Sequence, residues 1–444
     1  LGTSTLIIFR DSEEPGSDAD SISLDTAAAS PIAVPNVFPG CSTFTASGYF
    51  AKKSSSLLAA TLYVTPSKVY CSNLEILENS SERSQNTCEH FTKCGGCLLQ
   101  HWQYENYKQW KFNLIRQPLL KLTPDIKTLD MISADNYSRR RAKFFLRQDN
   151  NSCKLGFKKY KSETLININN CIIIDPEIMA FMSELKNAFN KIFLTNEILV
   201  FHVNKLDYGL DILIQTNKSL RINDLINIFK NFKSKIISIY YQQNNQNPEL
   251  ILFYNKNKLS FGKDNVYGLI PPAGFFQSTK LAENELIKNI LNEIQNKNEY
   301  VLDLYSGSGT FTLPLLKNGY NVYAIDNNKS SIESLIKSSK EQNLFNNFKY
   351  NISNLTKEKI ETHFFQNFDM VILDPPRAGA IIQVTSLGKS KVKKIIYISC
   401  NIQTFLRDSK ILLSYGYKIK YILPIDQFLY TSHLEIFSVF EILN

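Results

Sequence analysis

The chain has 444 residues, of which 43% are hydrophobic and 20% are charged, as expected for a soluble protein of about three domains. It contains no uncharged apolar run of about 18 residues, which argues against a membrane span, and its first residues lack the basic segment of a secretory signal. The net charge of +9 is compatible with a polyanionic partner, although a lysine-rich composition alone produces the same charge.

Three regions follow one another along the chain. Residues 1–84 are rich in Ser and Ala and predict either a poorly ordered segment or a small β domain. Residues 85–265 open with a cysteine cluster and a helix at 102–122, and then predict a mainly antiparallel β domain with one or two inserted helices. In residues 266–444 apolar strands alternate with helices, which predicts a parallel sheet covered on both faces and an antiparallel hairpin at one edge.

The cysteine cluster CEHFTKCGGC places Cys88, Cys94 and Cys97 close together in the sequence. Without a secretory signal, clustered thiols indicate a metal centre rather than disulfides. The fourth ligand must come from elsewhere, with Cys171 the first candidate and Cys153 the second. Zinc ligands usually come as two close doublets, whereas three clustered cysteines and a remote one are commoner for iron–sulfur clusters, so the pattern favours iron–sulfur over zinc.

Basic and aromatic residues are interleaved in YSRRRAKFFLR, residues 137–147. On a strand, this alternation would turn one face toward phosphates while the other face packs, a pattern that suits RNA. A solvated basic strand is the alternative.

The segment VLDLYSGSGTFTLPL, residues 301–315, reads as a strand that ends near Asp303, a glycine-rich turn and a helix. Gly307 and Gly309 would let a ligand approach the backbone. The following strand ends at Asp326, where a carboxylate can accept both hydroxyls of a ribose. Together these features predict a site for a nucleoside-bearing cofactor, with a plain strand–helix turn as the alternative.

Further strands deliver reactive residues to the same sheet edge. VILDPPRAG places Asp374 and Arg377 after a buried strand, and KIIYISCN ends in Cys400. A helix N-terminus at this position can lower a thiol pKa and favour the nucleophilic thiolate, although a buried Cys that only packs is the alternative. Glu435, beside His433, begins the last apolar strand and could serve as a general base.

These motifs together carry a resemblance to a known family. CEHFTKCGGCLLQH, GFFQ, LDLYSGSGTFTLPL, LDPPRAG, ISCN and DQFLYTSHLE resemble the RNA 5-methyluridine methyltransferases, and among them the iron–sulfur-containing 23S rRNA type. The resemblance covers about residue 85 to the C-terminus. It implies an α/β fold of the class I S-adenosyl-L-methionine (SAM)-dependent methyltransferases, Rossmann-like and doubly wound, with an inserted β-rich domain. The pieces VPNVFPG and LEILENSSERS resemble the ends of an N-terminal TRAM domain.

The resemblance also implies roles for individual residues. It assigns a [4Fe–4S] cluster to four cysteines: Cys88, Cys94, Cys97 and Cys171. It assigns SAM binding to four residues: Gln277, Tyr305, Asp326 and Asp374. It makes Cys400 the nucleophile that adds to C6 of a uridine and Glu435 the base that removes the C5 proton.

The sequence departs from the family pattern at several positions. Ser306 and Ser308 stand where the family often has Cys and Thr, and Asp326 stands where Glu is more usual. Ser278 follows the FFQ motif in place of Val, and Ile402 takes the place of a usual Pro. These departures bear on cofactor affinity rather than on the type of reaction.

The expected function is methyl transfer from SAM to C5 of a uridine in RNA. The resemblance favours ribosomal over transfer RNA, a cytoplasmic location, and neither a membrane nor an obligate protein partner. Two alternatives remain. DPPR resembles the motif of class I N-methyltransferases, which need no cysteine, and a non-catalytic RNA-binding protein could retain the same fold.

Overall fold

The computed structural model describes residues 80–442 except 86, 150–151, 161, 191–197, 245 and 263–265, together with the backbone of three earlier strands. The chain forms two compact units. One extends to residue 85 and includes residues 101–107, and the other comprises residues 86–100 and 108–444. No helix in the described part of the chain is both long and apolar enough to span a bilayer.

The three early strands form an antiparallel sheet in the order β1-β2-β3. They are β1 (Thr43–Phe44), β2 (Leu57–Val64) and β3 (Val69–Glu78). The sequence left this region open between a poorly ordered segment and a small β domain, and these strands agree with the second alternative. The TRAM-like piece VPNVFPG lies outside the described residues, so the TRAM-like assignment stays a prediction.

A long helix and a short strand lead into the second unit. They are α1 (Tyr104–Leu122) and β4 (Ile132–Ser133). Helix α1 packs two fully buried side chains, Ile115 and Leu119, into the apolar core of the C-terminal sheet. These positions are four residues apart and therefore lie on one face of the helix.

The central sheet has the strand order β11-β10-β9-β8-β5-β6-β7. Its strands are β5 (Arg141–Asp149), β6 (Ser152–Lys158), β7 (Leu165–Asn167), β8 (Ile198–Leu206), β9 (Gly209–Thr216), β10 (Ile236–Gln243) and β11 (Glu249–Phe253). Strands β9 and β10 pair in parallel and the other neighbours pair antiparallel.

Two helices, α2 (Pro176–Phe189) and α3 (Ile222–Phe229), cover one face of the central sheet. Helix α2 begins at Pro176, whose fixed φ suits a first turn, and the Asp175 side chain caps it by accepting from the Glu177 amide. Alternate strand residues such as Phe144 and Phe201 fill the core beneath these helices. The intervening residues form the opposite face of the sheet.

An antiparallel hairpin and the C-terminal sheet complete the unit. The hairpin pairs β12 (Lys258–Phe261) with β13 (Val266–Leu269). The remaining elements are α4 (Lys280–Glu293), β14 (Tyr300–Leu304), α5 (Thr312–Lys317), β15 (Asn321–Asp326), α6 (Lys329–Glu341), β16 (Phe348–Ile352), α7 (Thr362–Phe365), β17 (Met370–Leu373), α8 (Ile381–Ser390), β18 (Lys394–Ser399), α9 (Ile402–Ser414), β19 (Tyr417–Asp426) and β20 (Glu435–Ile442).

The C-terminal sheet has the order β16-β15-β14-β17-β18-β20-β19-β4. Strands β14 to β18 run parallel, and β19 and β20 form the expected antiparallel hairpin. The hairpin is not the edge, because β4 pairs in parallel with β19. Strand order reverses between β14 and β17, and ligands of doubly wound sheets bind at the carboxyl ends of strands at such a point.

Candidate active site and cysteine cluster

The glycine-rich turn after β14 leaves room for a ligand. Gly307 has φ +54°, and a Cβ there would point into open space. Gly309 has φ +91°, and a Cβ there would meet Leu335 Cδ1 at 2.4 Å, so this glycine lets the turn lie against α6. The turn therefore approaches α6 closely on one side and stays open on the other.

Buried polar atoms around this turn lack partners. Within the described residues, Asp303 Oδ1, Ser306 Oγ and Ser308 Oγ are buried without a hydrogen bond. Burial raises the pKa of Asp303 to about 7, although Thr312 donates to its other oxygen. Buried polar groups nearly always have hydrogen-bond partners. An open turn with three unpartnered oxygen atoms around it therefore fits a polar cofactor such as SAM.

Asp326 lies at the end of β15 and accepts two backbone N–H groups. Gly307 N donates to Oδ2 at 2.9 Å and Asn328 N donates to Oδ1 at 2.7 Å. The carboxylate is thus held beside the open glycine turn, as expected for a ribose acceptor. Tyr305 lies in the same turn with φ +62°, an unusual conformation for a large side chain.

Cys400 follows β18 and precedes α9, whose N-cap Asn401 accepts from the Gln403 amide. The sequence suggested that this helix N-terminus would lower the thiol pKa, and the structure corrects that expectation. Burial and the nearby Glu435 and Asp374 carboxyls raise the pKa of Cys400 to about 11, with Arg377 acting in the opposite direction.

Asp374 and Glu435 come from neighbouring parts of the same sheet edge. Asp374 follows β17, and Glu435 begins β20, which runs antiparallel to β18. Burial, together with the charges of Glu435 and Asp303, raises the pKa of Asp374 well above its ordinary value. Burial also raises the pKa of Glu435 to about 7. Two close buried carboxyls cannot easily both ionise, which is a common property of acid–base sites.

Two buried amides connect these carboxyls. Gln277 Nε2 donates to Asp374 Oδ2 at 3.1 Å. Gln427 Nε2 donates to Gln277 Oε1 at 2.8 Å and to Glu435 Oε2 at 2.7 Å. The hydrogen-bond chain runs from Asp374 through Gln277 and Gln427 to Glu435.

The loop of the DPPR motif is fixed to the segment after Cys400. Asn401 Nδ2 and Thr404 Oγ1 donate to the Arg377 carbonyl at 3.0 and 3.2 Å. Arg377 Nη2 lies 3.3 Å from His433 Nε2. The structure therefore brings Arg377 and His433 together at the rim of the site near Cys400.

Two arginines in the first half of the YSRRRAKFFLR segment, Arg140 and Arg141, make hydrogen bonds inside the protein. Arg140 donates to Glu283 Oε2 at 3.0 Å in a buried ion pair and to the Gln277 carbonyl at 3.0 Å. Arg141 donates to the Phe276 carbonyl at 2.9 Å. These arginines hold the Gln277 segment in place, so a phosphate-facing or solvated role does not apply to this half of the strand.

In the second half of the segment, side chains alternate between the two faces of the sheet, as the sequence suggested. Lys143, Phe145 and Arg147 lie on the face of the central sheet that α2 and α3 do not cover, and both cations are exposed. Lys158 Nζ lies 4.8 Å from the centre of the Phe145 ring, and Lys154 pairs in register with Arg147. Basic and aromatic side chains thus share one open sheet face, here called the basic face.

The basic face continues toward the catalytic edge. Arg141 precedes Lys143 on the same side of β5, and its guanidinium lies 4.6 Å from the centre of the Phe275 ring. Phe275 is 60% exposed and lies two residues before Gln277. One strand therefore leads from an open basic surface to the catalytic groups.

The four cysteines assigned to a cluster are brought together. Charges on the thiols of Cys94 and Cys97 interact with those of Cys88 and Cys171. Burial is the largest cause that raises the pKa of Cys97 to about 12. Cys153 instead packs in the core of the central domain, so the structure groups Cys171 rather than Cys153 with the others.

The surroundings of these thiols are partly open. Gly96 N lies 3.4 Å from Cys94 Sγ, and a cavity of ≈ 210 Å³ opens beside Cys88. Among the described residues, no group of three or more His, Cys, Asp or Glu side chains is arranged to hold a metal ion. The [4Fe–4S] assignment therefore stays a prediction.

Two residues of the site were missed from the sequence. Gln427 was noticed only as part of a polar DQF segment, and Lys111 was counted as a helix residue. Lys111 forms a fully buried ion pair with Asp426 and donates to the Phe428 carbonyl at 2.8 Å. Lys111 stands on the apolar face of its helix. A Lys at such a position is the signal that could have indicated a distant acidic partner.

Known proteins are similar to this chain over most of its length. The tRNA (Uracil-5-)-methyltransferase family matches residues 103–441. An uncharacterized RNA methyltransferase of Brucella melitensis is 31% identical over 366 residues, which make up 82% of this chain and 86% of that protein. The 23S rRNA (uracil(1939)-C(5))-methyltransferase RlmD of Mannheimia succiniciproducens is 29% identical over 372 residues, 83% of this chain and 84% of that protein.

A solved structure shares the fold. The tRNA (uracil-54, C5)-methyltransferase of Pyrococcus abyssi, in complex with S-adenosyl-L-homocysteine, superposes with a TM-score of 0.67 at 23% identity. The match covers 88% of this chain and 94% of that one. It confirms the class I methyltransferase fold expected for the α/β region.

Proposed function

This chain belongs to the tRNA (Uracil-5-)-methyltransferase family, and from that premise we propose that it methylates C5 of a uridine in 23S ribosomal RNA through a covalent adduct of Cys400. The observation that carries the proposal is the meeting of Cys400 with the half-buried Asp374 and the buried Glu435 carboxyls beside the open glycine turn. The N-methyltransferase alternative gives no role to a thiol placed in this way.

Cys400 begins the reaction by adding to C6 of the flipped-out uracil. The thiol is mostly protonated at neutral pH because its pKa is raised to about 11. Its proton must therefore leave as the S–C6 bond forms. The neighbouring Asp374 carboxylate accepts this proton and returns it to the thiolate at the end of the cycle, which keeps Glu435 free to take the C5 proton. The electron pair of the C5=C6 bond moves toward C4 and O4, which makes C5 nucleophilic.

The residues present fit SAM at the glycine turn. Asp326, held beside Gly307, would hold the ribose. Gln277, which donates to Asp374, and Tyr305 of the glycine turn are the other residues assigned to the cofactor. SAM, when bound, would supply the electrophilic methyl group that C5 accepts.

Glu435 completes the reaction as the base. The methylated C5 still carries its hydrogen, and Glu435 takes that proton. The C–H electron pair re-forms the C5=C6 bond, the C6–S bond breaks, and Cys400 leaves as the thiolate. A base with a pKa of about 7 is well matched to proton transfer at physiological pH.

The basic face is proposed to bind the RNA strand that flanks the target. Sheet faces that combine cations with exposed aromatic rings bind single-stranded RNA by phosphate contacts and stacking. Lys143, Phe145 and Arg147 provide that combination, and Phe275 extends it to the catalytic edge. We place the enzyme in the cytoplasm because its RNA substrate is there.

The cysteine cluster is proposed to be structural or to orient RNA, since methyl transfer needs no electron. A [4Fe–4S] cluster held by Cys88, Cys94, Cys97 and Cys171 would join the loop before α1 to the strand region at 171. Amides of the same loop, Leu98 N and Leu99 N, donate to the Tyr430 carbonyl at 2.8 and 3.1 Å. The loop therefore lies against the segment that precedes Glu435.

RNA containing 5-fluorouridine tests the reaction directly. Fluorine cannot leave as a proton does, so the adduct persists after methyl transfer. We expect a SAM-dependent, denaturant-stable complex with 23S rRNA fragments, lost in Cys400→Ala and retained in Cys153→Ala, a matched variant of a buried thiol in the central core.

Each other outcome separates the alternatives. An adduct with transfer RNA alone would move the target to the second RNA class that the family name suggests. Methylated RNA without any adduct would support an N-methyltransferase. SAM-independent RNA binding without methylation would support a non-catalytic protein.

A further inference from the structure

We propose that Gln427 is a positioning residue that aligns the base Glu435 with the cofactor-side residue Gln277, an inference that rests on the proposed function. Gln427 lies immediately after β19, and its side chain is buried between these two residues. In this assignment Gln427 does not touch the reacting atoms. It orients the Glu435 carboxyl, which does.

Every polar position of the Gln427 amide is used. Its Oε1 accepts from the Ser278 backbone N–H at 3.0 Å. Because Ser278 N can only donate, the orientation of the amide is fixed and its NH₂ group must face the other way. The NH₂ group then donates to Gln277 Oε1 at 2.8 Å and to Glu435 Oε2 at 2.7 Å.

The fixed orientation sets the next amide as well. Gln277 presents Oε1 to Gln427, so its NH₂ group faces Asp374. Both carboxyls therefore receive an N–H donor. A turn of the Gln277 amide would break two contacts, and a turn of the Gln427 amide would break three. Buried networks of this kind specify one geometry because an unpaired member is costly.

Both ends of the amide pair are anchored by buried cations. On one side, Arg140 donates to the Gln277 carbonyl at 3.0 Å and pairs with Glu283. On the other side, Lys111 pairs with Asp426, the residue before Gln427. Gln427 is therefore held at its backbone as well as at its side chain.

Position matters most in the last step of the reaction. Proton removal from C5 needs the carboxylate within hydrogen-bond reach of that proton, and a misplacement of about 1 Å can cost about 10²-fold in rate. Nucleophilic addition by Cys400 does not depend on the same oxygen. Loss of Gln427 should therefore slow elimination more than adduct formation.

The test compares two adducts in Gln427→Met, which keeps the side-chain length without the amide. With ordinary uridine RNA and SAM, we expect a denaturant-stable methylated adduct to accumulate, because release slows by about 10- to 10²-fold. With 5-fluorouridine RNA, the variant should form its adduct as wild type does. Gln148→Met removes another buried glutamine, which donates to the Phe189 carbonyl, and should not accumulate the ordinary adduct.

The remaining outcomes decide against the proposal. Wild-type turnover without adduct accumulation would show that Gln427 is not needed. Equal loss of both adducts, with a fall in melting temperature like that of Gln148→Met, would make its role only structural. If Gln427→Met does not fold, the shorter amide of Gln427→Asn is tested by the same criteria. Failure of the wild type to form the 5-fluorouridine adduct would instead reject the underlying function.

Discussion

The central and C-terminal sheets each bury a carboxyl group with a pKa of about 7, and only one of these groups belongs to the candidate active site. Burial raises the pKa of Asp211 in β9 and of Glu435 at the start of β20 to the same value. Ser238 and Asn257 donate to Asp211 Oδ1 at 2.6 and 2.9 Å. Gln427 donates to Glu435 at 2.7 Å.

The difference lies in what surrounds each acid. Asp211 lies within the central sheet among neutral partners that belong to the fold. Glu435 lies at a sheet edge where the carboxyl ends of parallel strands deliver a thiol, a second acid and an open glycine turn. A raised pKa is thus a consequence of burial in both places, and only its position relative to a nucleophile marks a catalytic group.

The largest expected difference between the two acids is in turnover. Glu435→Gln should lower turnover by about 10²- to 10⁴-fold, the usual contribution of a general base. It should also accumulate the methylated adduct with ordinary uridine RNA. Asp211→Asn is the matched control and should keep turnover within about threefold. Release of methylated RNA under multiple-turnover conditions measures both, and equal losses would end the distinction drawn between the two sheets.

The next difference is in stability against pH. The raised pKa of Asp211 contributes stability that is complete below the unfolded value of 3.8 and is lost as pH rises through about 7. Asp211→Asn removes this titration, so its stability relative to wild type should increase between pH 5 and 8 by roughly 1–4 kcal/mol. Thermal melts across this range measure the change. A constant difference would contradict a native-state titration of Asp211 near pH 7.

The smallest expected effect concerns the open side of the central sheet. Lys143→Ala and Arg147→Ala should each weaken RNA binding, and each should reduce the slope of log K against log salt by about 0.7 if it contacts one phosphate of a single strand. Lys230→Ala, an exposed lysine at the end of α3, is the control. Salt titrations measure the slopes. If Lys143→Ala and Arg147→Ala gave the same slope as Lys230→Ala, the basic face would not be part of the RNA-binding site.

Much of the C-terminal architecture could be predicted from the sequence. Apolar strands and helices alternate with clear periodicity in the sequence. Glycine-rich and proline-rich turns, at Gly307 and after Asp374, mark where strands end. Strand ends of a parallel sheet meet at one edge, so residues there can be grouped without coordinates. The β19–β20 hairpin followed from the short separation of its strands.

The contacts that complete the site could not be predicted in the same way. Gln427 and Ser278 are 149 residues apart, and no local pattern links an amide to a backbone N–H at that distance. The inward orientation of Arg140 could not be predicted, because a run of basic residues has the same sequence pattern whether it faces solvent or a buried acid such as Glu283. The thiol pKa of Cys400 depends on burial and on carboxyls from two other segments, Asp374 and Glu435, and no local pattern reveals either.

The buried ion pair of Lys111 and Asp426 has a consequence for folding during translation. The two residues are separated by 315 positions, so the helix that carries Lys111 emerges from the ribosome long before its partner is synthesised. Contacts of such range form late in folding. The candidate catalytic edge is complete only after β20, which carries Glu435, has been synthesised.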